Sequence, residues 1–342
     1  MTDETKGLAL VTGATGFTGG RLAETLVARG YRVRAMVRDM DSAAAQALRE
    51  QGIEVTQGDL TDAAAIARAM EGVTHLFNIA AAYRDASHAD DYYFRVNRDA
   101  VRDLLEAAET AGVARIVHCS TCGVHGDVME IPANEETAFR PGDVYQQSKL
   151  EGEEIARAAM ARGAPVSVIR PTGIYGPGDT RFLKLFRTVD NGTFRMFGDG
   201  KIAYHMTYID DIVQGLILAA EHPAAVGEVF LIGDENYTTL NLLVAEVARV
   251  LDVAPPRGHL PVAPLMAAAV MCEAVCKPFG IDPPLHRRRV SFFTKARAFS
   301  VDKAKRTIGF QPQIGLAEGL RLTAAWYRET GRLAPAKPRQ AA

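Results

Sequence analysis

The chain has 342 residues, 48% of them hydrophobic, and 39 Lys and Arg against 41 Asp and Glu give a formal charge of −2. That length accommodates one large core or one domain with a smaller lobe, while the near-neutral charge carries neither the basic excess of a nucleic-acid binder nor an acidic solvating tail. Residues 1–6 are polar and charged rather than an apolar signal, so the expected setting is cytoplasmic.

Apolar runs recur at residues 8–11, 33–37, 53–55, 75–79, 116–119 and 166–169, and the spacing predicts helices over 18–29, 63–70, 92–111 and 144–162. This strand–helix alternation implies an α/β fold, a doubly wound parallel sheet. Ligands of such sheets lie beyond the carboxyl ends of the strands, where Gly13, Asn78, Ala80, Ser120 and Arg170 fall. After Pro171 the pattern becomes irregular, punctuated by Gly176-Pro177-Gly178 and Gly198-Asp199-Gly200. The expected organisation is a dinucleotide-binding core with the catalytic residues over 1–171 and a mainly substrate-binding lobe over 172–333. That lobe returns one strand, 229–232, to the sheet, carries helices at 240–251 and 316–328, and is followed by a disordered tail over 334–342.

The segment Thr12-Gly13-Ala14-Thr15-Gly16-Phe17-Thr18-Gly19 joins the first apolar run to the first helical pattern. Glycines at three-residue spacing let the backbone turn sharply and approach a pyrophosphate seated at the positive end of the helix. Gly13, Thr15, Gly16, Phe17, Thr18 and Gly19 are therefore candidate cofactor contacts.

Far downstream stands Tyr145-Gln146-Gln147-Ser148-Lys149, preceded by Ser120-Thr121. A spacing of four on a helix puts Tyr145 and Lys149 on one face. A tyrosine of ordinary pKa, about 10, is a poor base at neutral pH, and lowering it by roughly three units takes about 4 kcal/mol. A neighbouring ammonium and a positive nicotinamide are the charges that can supply this.

Together these motifs resemble the extended short-chain dehydrogenase/reductase superfamily, the epimerase/dehydratase-like branch, whose members carry a TGxxGxxG turn, a strand-end Ser or Thr and a YxxxK pair. Gly58-Asp59-Leu60, Asn78-Ile79-Ala80, Val96-Asn97, Arg170-Pro171-Thr172, Tyr175-Gly176-Pro177-Gly178 and Tyr208-Ile209-Asp210-Asp211 follow in the family's order, so the resemblance spans nearly the whole chain. It implies a Rossmann sheet, an NAD(P)-dependent enzyme with Tyr145 as acid/base and Lys149 beside it, and a homodimer through paired helices. Thr121 matches the catalytic Ser or Thr, with Ser120 as the alternative in register. Asn97 would support the active-site helix or a proton-relay water, Asp59 and Leu60 would meet adenine, Ala80 would border a ribose, and Pro171 and Thr172 would line the cofactor.

The resemblance also bears on cofactor and substrate. NAD-preferring relatives often end the second strand with an acid, whereas this strand ends Met36-Val37-Arg38. Arg38 can pair with a 2′-phosphate, which makes NADP the preferred cofactor, as in the flavonol and cinnamoyl reductases. NAD stays open, because Asp39 or Asp41 would stand at the ribose if the register slipped. Tyr204 occupies the place where nucleotide-sugar enzymes usually carry a diphosphate-gripping arginine, though Arg297 fits a later family arginine.

The apolar stretch 260–281, followed by His286-Arg287-Arg288-Arg289, is too short and interrupted to span a bilayer. It reads as a packed helix, a partner contact, or a lid over a hydrophobic substrate with peripheral membrane contact through the arginines, and it is similar to 3β-hydroxysteroid dehydrogenase and sterol dehydrogenase relatives. The expectation is an oxidoreductase interconverting a secondary alcohol and a ketone on a bulky steroid-like or terpenoid molecule; a nucleotide-sugar epimerase or dehydratase holding NAD tightly is the alternative. The pairs Cys119/Cys122 and Cys272/Cys276 read as packing, with no metal site suggested nearby. His118 reads as a strand residue, and His125 as lying where relatives often carry Tyr.

Overall fold

A computed structural model describes residues 6–83, 89–276, 279, 281 and 283–335. Of the expected tail, Ala334 and Pro335 are exposed and 336–342 lie outside the described residues. Six strands, β1 (Leu8–Thr12), β2 (Arg32–Val37), β3 (Glu54–Gln57), β4 (His75–Asn78), β5 (Arg115–Cys119) and β6 (Val166–Pro171), are joined by a seventh, Val229–Ile232. Their spatial order is β3-β2-β1-β4-β5-β6 and then Val229–Ile232, every neighbour parallel. All residues of β1 and of Val229–Ile232 are buried, as continuous apolar strands covered on both faces must be.

The order reverses between β1 and β4, which opens a crevice at their carboxyl ends. On one face lie α1 (Phe17–Ala28) and the helix Ile209–Glu221, whose Leu22, Leu26, Ile212 and Leu216 share a core. On the other lie α3 (Ala63–Met70), α5 (Ala100–Thr110) and α6 (Val144–Ala161), joined through Ile66, Leu104, Leu105 and Ala156. One crossover helix, α2 (Ala43–Glu50), escaped the periodicity because alanine dominates it; Ser42 starts it by accepting from the Ala45 amide at 3.2 Å.

The long helix expected over 92–111 begins instead at α4 (Asp90–Phe94) and passes through one π turn, Arg95–Asp99, before α5. Asn97 lies in the middle of this wider turn. There α6 crosses so closely that a Cβ on Gly152 would sit 2.0 Å from the Asn97 oxygen. Glycine is thus what lets α6 settle against this turn.

Beyond β6 the chain builds a lobe of short pairings: Gly173–Tyr175 with Met206–Tyr208, Ala203–Tyr204 with Thr238–Thr239, and Met196–Phe197 with His259–Leu260. Helices Leu183–Asp190, Leu240–Leu251 and Leu316–Glu329 pack together beneath them.

Candidate active site

The site grows from the turn after β1. Gly13 adopts φ +73°, and a Cβ there would stand 2.9 Å from the Ala80 Cα; a Cβ on Gly19 would stand 2.2 Å from the Gly13 oxygen. Any larger residue would fill the cradle between turn, helix and β4. α1 starts at Gly16 with no side-chain cap and no acid in its first turn, so its leading amides and dipole face the crevice uncompensated. Backbone geometry and helix end together fit a dinucleotide pyrophosphate. Thr15, Gly16, Phe17 and Thr18 stand on this rim, none of them buried.

Hydrogen bonds lock the neighbouring strand ends. The Thr12 hydroxyl donates to Asn78 Oδ1 (2.9 Å) and accepts from the amides of Ile79 (3.0 Å) and Ala80 (3.1 Å), which fixes Ala80 beside Gly13. Asn78 Nδ2 lies 3.1 Å from His118 Nδ1. The other ring nitrogen, His118 Nε2, is buried and has no partner among the described residues. Burial, and then the Lys149 charge, drive its pKa well below the usual histidine value, so His118 stays neutral.

Helix α6 presents Tyr145, Lys149 and Glu153 at four-residue intervals. Lys149 is 2% exposed and donates to the Cys119 carbonyl at 2.7 Å. Burial pushes its pKa down, with Cys119 and Glu153 opposing. An ammonium has three hydrogens, so Lys149 can also serve the hydroxyls of a ribose. The Tyr145 ring meets Tyr83 edge-on with centroids 4.8 Å apart.

Ser120 points into the core and donates to Glu153 Oε2 at 2.6 Å. Thr121, half-buried, accepts from the Gly123 amide at 3.0 Å and starts the short helix Cys122–His125. A Cβ on Gly123 would lie 3.2 Å from the Thr121 Oγ and 3.4 Å from the Gln146 Cγ, so the Thr121 loop abuts the first turn of α6. Both amide hydrogens of Asn97 are committed to the fold. Its Oδ1 accepts from the Ala82 amide (2.9 Å), and its Nδ2 donates to Ala82 O (3.1 Å) and to the Ser148 hydroxyl (2.9 Å) on α6.

Glu153 and Arg170 form an ion pair whose side chains are 0% and 1% exposed. Arg170 also reaches His125 Nε2 (3.1 Å) and the Glu135 carbonyl (2.9 Å), and lies over the Phe139 ring. Burial and then Arg170 push His125 down to about 4. Sequence reasoning missed this network. The signal was available in part, since Glu153 follows Lys149 by four residues and Arg170 ends an apolar strand. Cys119 and Cys122 are free and buried; burial pushes the Cys122 thiol up to about 11, as suits packing rather than redox work.

At the far end of the crevice Arg38 is exposed just past β2 and donates to the Tyr92 hydroxyl at 3.4 Å. The Asp39 carboxylate is engaged by the Asp41 amide at 2.9 Å. Asp59 is held below the usual carboxylate value: burial works against this, but the Thr61 amide and hydroxyl and the nearby Arg38 outweigh it. Leu60 packs with Tyr93 and Val96.

The Thr172 hydroxyl is paired with the Thr207 hydroxyl, and the Thr172 amide with the carbonyl of Ile232 in the sheet, so both are engaged within the fold; Pro171 is buried at the end of β6. Arg181, unforeseen from the sequence, pairs with Asp179 at 2.7 Å and lies over the Phe17 ring at 5.4 Å, within electrostatic range of Tyr83 and Tyr145. A chain of edge-on rings, Phe197–Phe293 (5.4 Å), Phe293–Phe292 (5.2 Å) and Phe292–Tyr204 (5.5 Å), runs toward Tyr204. There Arg297 bridges Tyr204 through the backbone and acts electrostatically on Cys122.

A family model described as the NAD dependent epimerase/dehydratase family matches residues 9–233. The 3 beta-hydroxysteroid dehydrogenase/Delta 5-->4-isomerase of Mycobacterium tuberculosis is 30% identical over 338 residues, covering 94% of this chain and 90% of that protein. The N-acetyl-alpha-D-glucosaminyl-diphospho-ditrans,octacis-undecaprenol 4-epimerase of Escherichia coli is 29% identical, covering 91% and 92%. Among solved structures, MoeE5 in complex with UDP-glucuronic acid and NAD superimposes with a TM-score of 0.74 at 26% identity, covering 95% of this chain and all of that one. With an uncapped helix behind a glycine cradle, a Tyr–Lys pair on α6 and a family match over most of the chain, this protein belongs to the NAD-dependent epimerase/dehydratase family and is an enzyme of the short-chain dehydrogenase/reductase type.

Proposed function

We propose that the enzyme interconverts a secondary alcohol and a ketone on a bulky steroid-like or terpenoid substrate, with NADP(H) as its preferred cofactor. The observation that carries the substrate class is Tyr204, packed edge-on against Phe292 and standing where a diphosphate-gripping arginine would mark a nucleotide-sugar enzyme. Similarity to a hydroxysteroid dehydrogenase supports the same class. For the cofactor, Arg38 follows β2 directly while Asp39 is turned into its own loop.

A nicotinamide dinucleotide, when bound, supplies the hydride acceptor or donor. Gly13, Gly16 and the first turn of α1 would hold its pyrophosphate, Lys149 a ribose, and Arg38 a 2′-phosphate. Tyr145 accepts the alcohol proton in oxidation and returns it in reduction, one helical turn from the Lys149 ammonium. Thr121 donates to the substrate oxygen and holds it within reach of Tyr145. Asn97 is a positioning residue, tying α6 to the Ala82 backbone through Ser148.

A redox-neutral epimerase or dehydratase is the second reading. It is favoured by Arg297, whose Nε is buried without a partner among the described residues, as an arginine awaiting an anion would be. Denaturing the purified protein and identifying the released nucleotide separates the two. An enzyme that regenerates its cofactor every cycle holds it, whereas a net dehydrogenase exchanges it. Stoichiometric NAD in the released fraction overturns the dehydrogenase reading; a vacant protein that takes up NADPH and reduces a steroid ketone supports it.

A further inference from the structure

The helix Val262–Cys276 departs from every rule the other helices obey. Apart from Glu273 its residues are apolar on all sides, yet only Ala269 and Glu273 are buried. Met271, Val275 and Val270 are 68%, 64% and 46% exposed, and Phe279 and Ile281 just beyond are 77% and 58% exposed. A helix apolar all round belongs inside a core or a membrane, and a contiguous display of this kind marks a contact surface. Its one charge is already answered within the chain: Glu273 accepts from the Arg287 amide at 2.7 Å and its guanidinium at 2.9 Å.

We propose that this helix, with Phe279 and Ile281 just beyond it, docks on a membrane surface carrying anionic lipid headgroups. Charge selects this occupant. The short helix Arg287–Val290 packs against Val262–Cys276, and the exposed Arg257, Arg287 and Arg289 stand against one acid of that longer helix, Glu273, in a chain whose overall charge is −2. A second copy seated on the same patch would bring like charge to like charge. Anionic headgroups complement it, and each nearby cation adds attraction. A helix of 15 residues is too short to cross a bilayer, and no described helix is long and apolar enough to do so, so it lies in the interface. Its base adjoins the lobe that follows β6, since a Cβ on Gly198 would lie 3.3 Å from a Val262 methyl. The docking rests on exposure and charge rather than on the reaction proposed above, and deepens it by naming the source of a lipid substrate.

Flotation of the full chain with vesicles tests it without substrate or turnover, so its outcome is independent of the alcohol assignment. Wild type is expected to float with phosphatidylcholine vesicles containing about a quarter phosphatidylglycerol, and roughly fivefold less with phosphatidylcholine alone. The double variant Met271→Glu, Val275→Glu should reduce flotation about tenfold or more while melting temperature and NADPH affinity stay unchanged, because both positions face solvent. Wild type left in the aqueous fraction with both vesicles, or a double variant that floats like wild type, overturns the proposal. So does a wild-type dimer that the double variant dissolves without any effect on vesicles, which would assign the patch to a second copy.

Discussion

The crevice beneath α6 and the helix Val262–Cys276 distribute polarity in opposite ways. Around α6 the protein buries charge: Lys149, Glu153 and Arg170 are each almost fully enclosed, and every one has a partner. In Val262–Cys276 it leaves Val270, Met271 and Val275 exposed to solvent. Burying ions costs several kcal/mol each unless geometry and hydrogen bonds compensate, so the first region can exist only in one arrangement. That rigidity suits acid/base chemistry, where an error of an ångström is expensive. The second region satisfies no such constraint, and its free energy depends on what it meets.

The largest effect is expected where the rigid region touches chemistry. Tyr145→Phe should lower turnover by about three orders of magnitude, roughly 4 kcal/mol, and leave cofactor affinity within a few-fold, because the ring keeps its packing but carries no proton. Steady-state kinetics with cofactor titration check it, and a variant retaining a tenth of wild-type turnover would remove Tyr145 from the acid/base role.

Breaking the ion pair comes next. Glu153→Ala strands Arg170 inside the core and should cost about 3–5 kcal/mol in denaturant unfolding. If the loss were under 1 kcal/mol, the contrast between an over-determined crevice and a permissive surface would collapse.

Arg38→Ala should weaken NADPH by about 1.5–3 kcal/mol and barely alter NADH, as expected for one charge-assisted hydrogen bond. Equal losses for both cofactors would show a general electrostatic effect instead.

The smallest expected effect is a pH dependence. His125 sits near 4 in the folded protein against an ordinary 6.5, so the unfolded chain binds the extra proton first. Its contribution to stability is complete above pH 6.5 and drains as pH falls toward 4, amounting to about 2 kcal/mol between pH 7 and 5. Unfolding at both pH values, in wild type and in His125→Gln, measures it; an unchanged pH slope in the variant would place the effect elsewhere.

Much of the crevice was legible in the sequence because its devices are local. A glycine turn between an apolar strand and a helix, and a Tyr and Lys four residues apart, encode their geometry in spacing alone. The α/β alternation was equally readable, apart from the alanine-rich α2, whose weak apolar signal hid it, and the π turn at Arg95–Asp99, which changes no side-chain pattern.

Other features depended on elements distant in sequence. Whether Ser120 or Thr121 faces the crevice was undecidable from adjacent hydroxyls; the fold directs Ser120 to Glu153, 33 residues away. Arg181 over Phe17 joins positions more than 160 residues apart, and the ring chain from Phe197 to Tyr204 is closed by phenylalanines from the far end of the lobe. Periodicity marks Val262–Cys276 as apolar but is silent on whether neighbours cover it. By itself the sequence determined the features that backbone geometry dictates within a turn or two of helix: the fold class, the glycine turn after β1 and the Tyr145–Lys149 face. Only the tertiary structure decided which polar groups are paired in the interior and which apolar groups are left outside, because burial is a property of what the chain brings together and no local pattern encodes it.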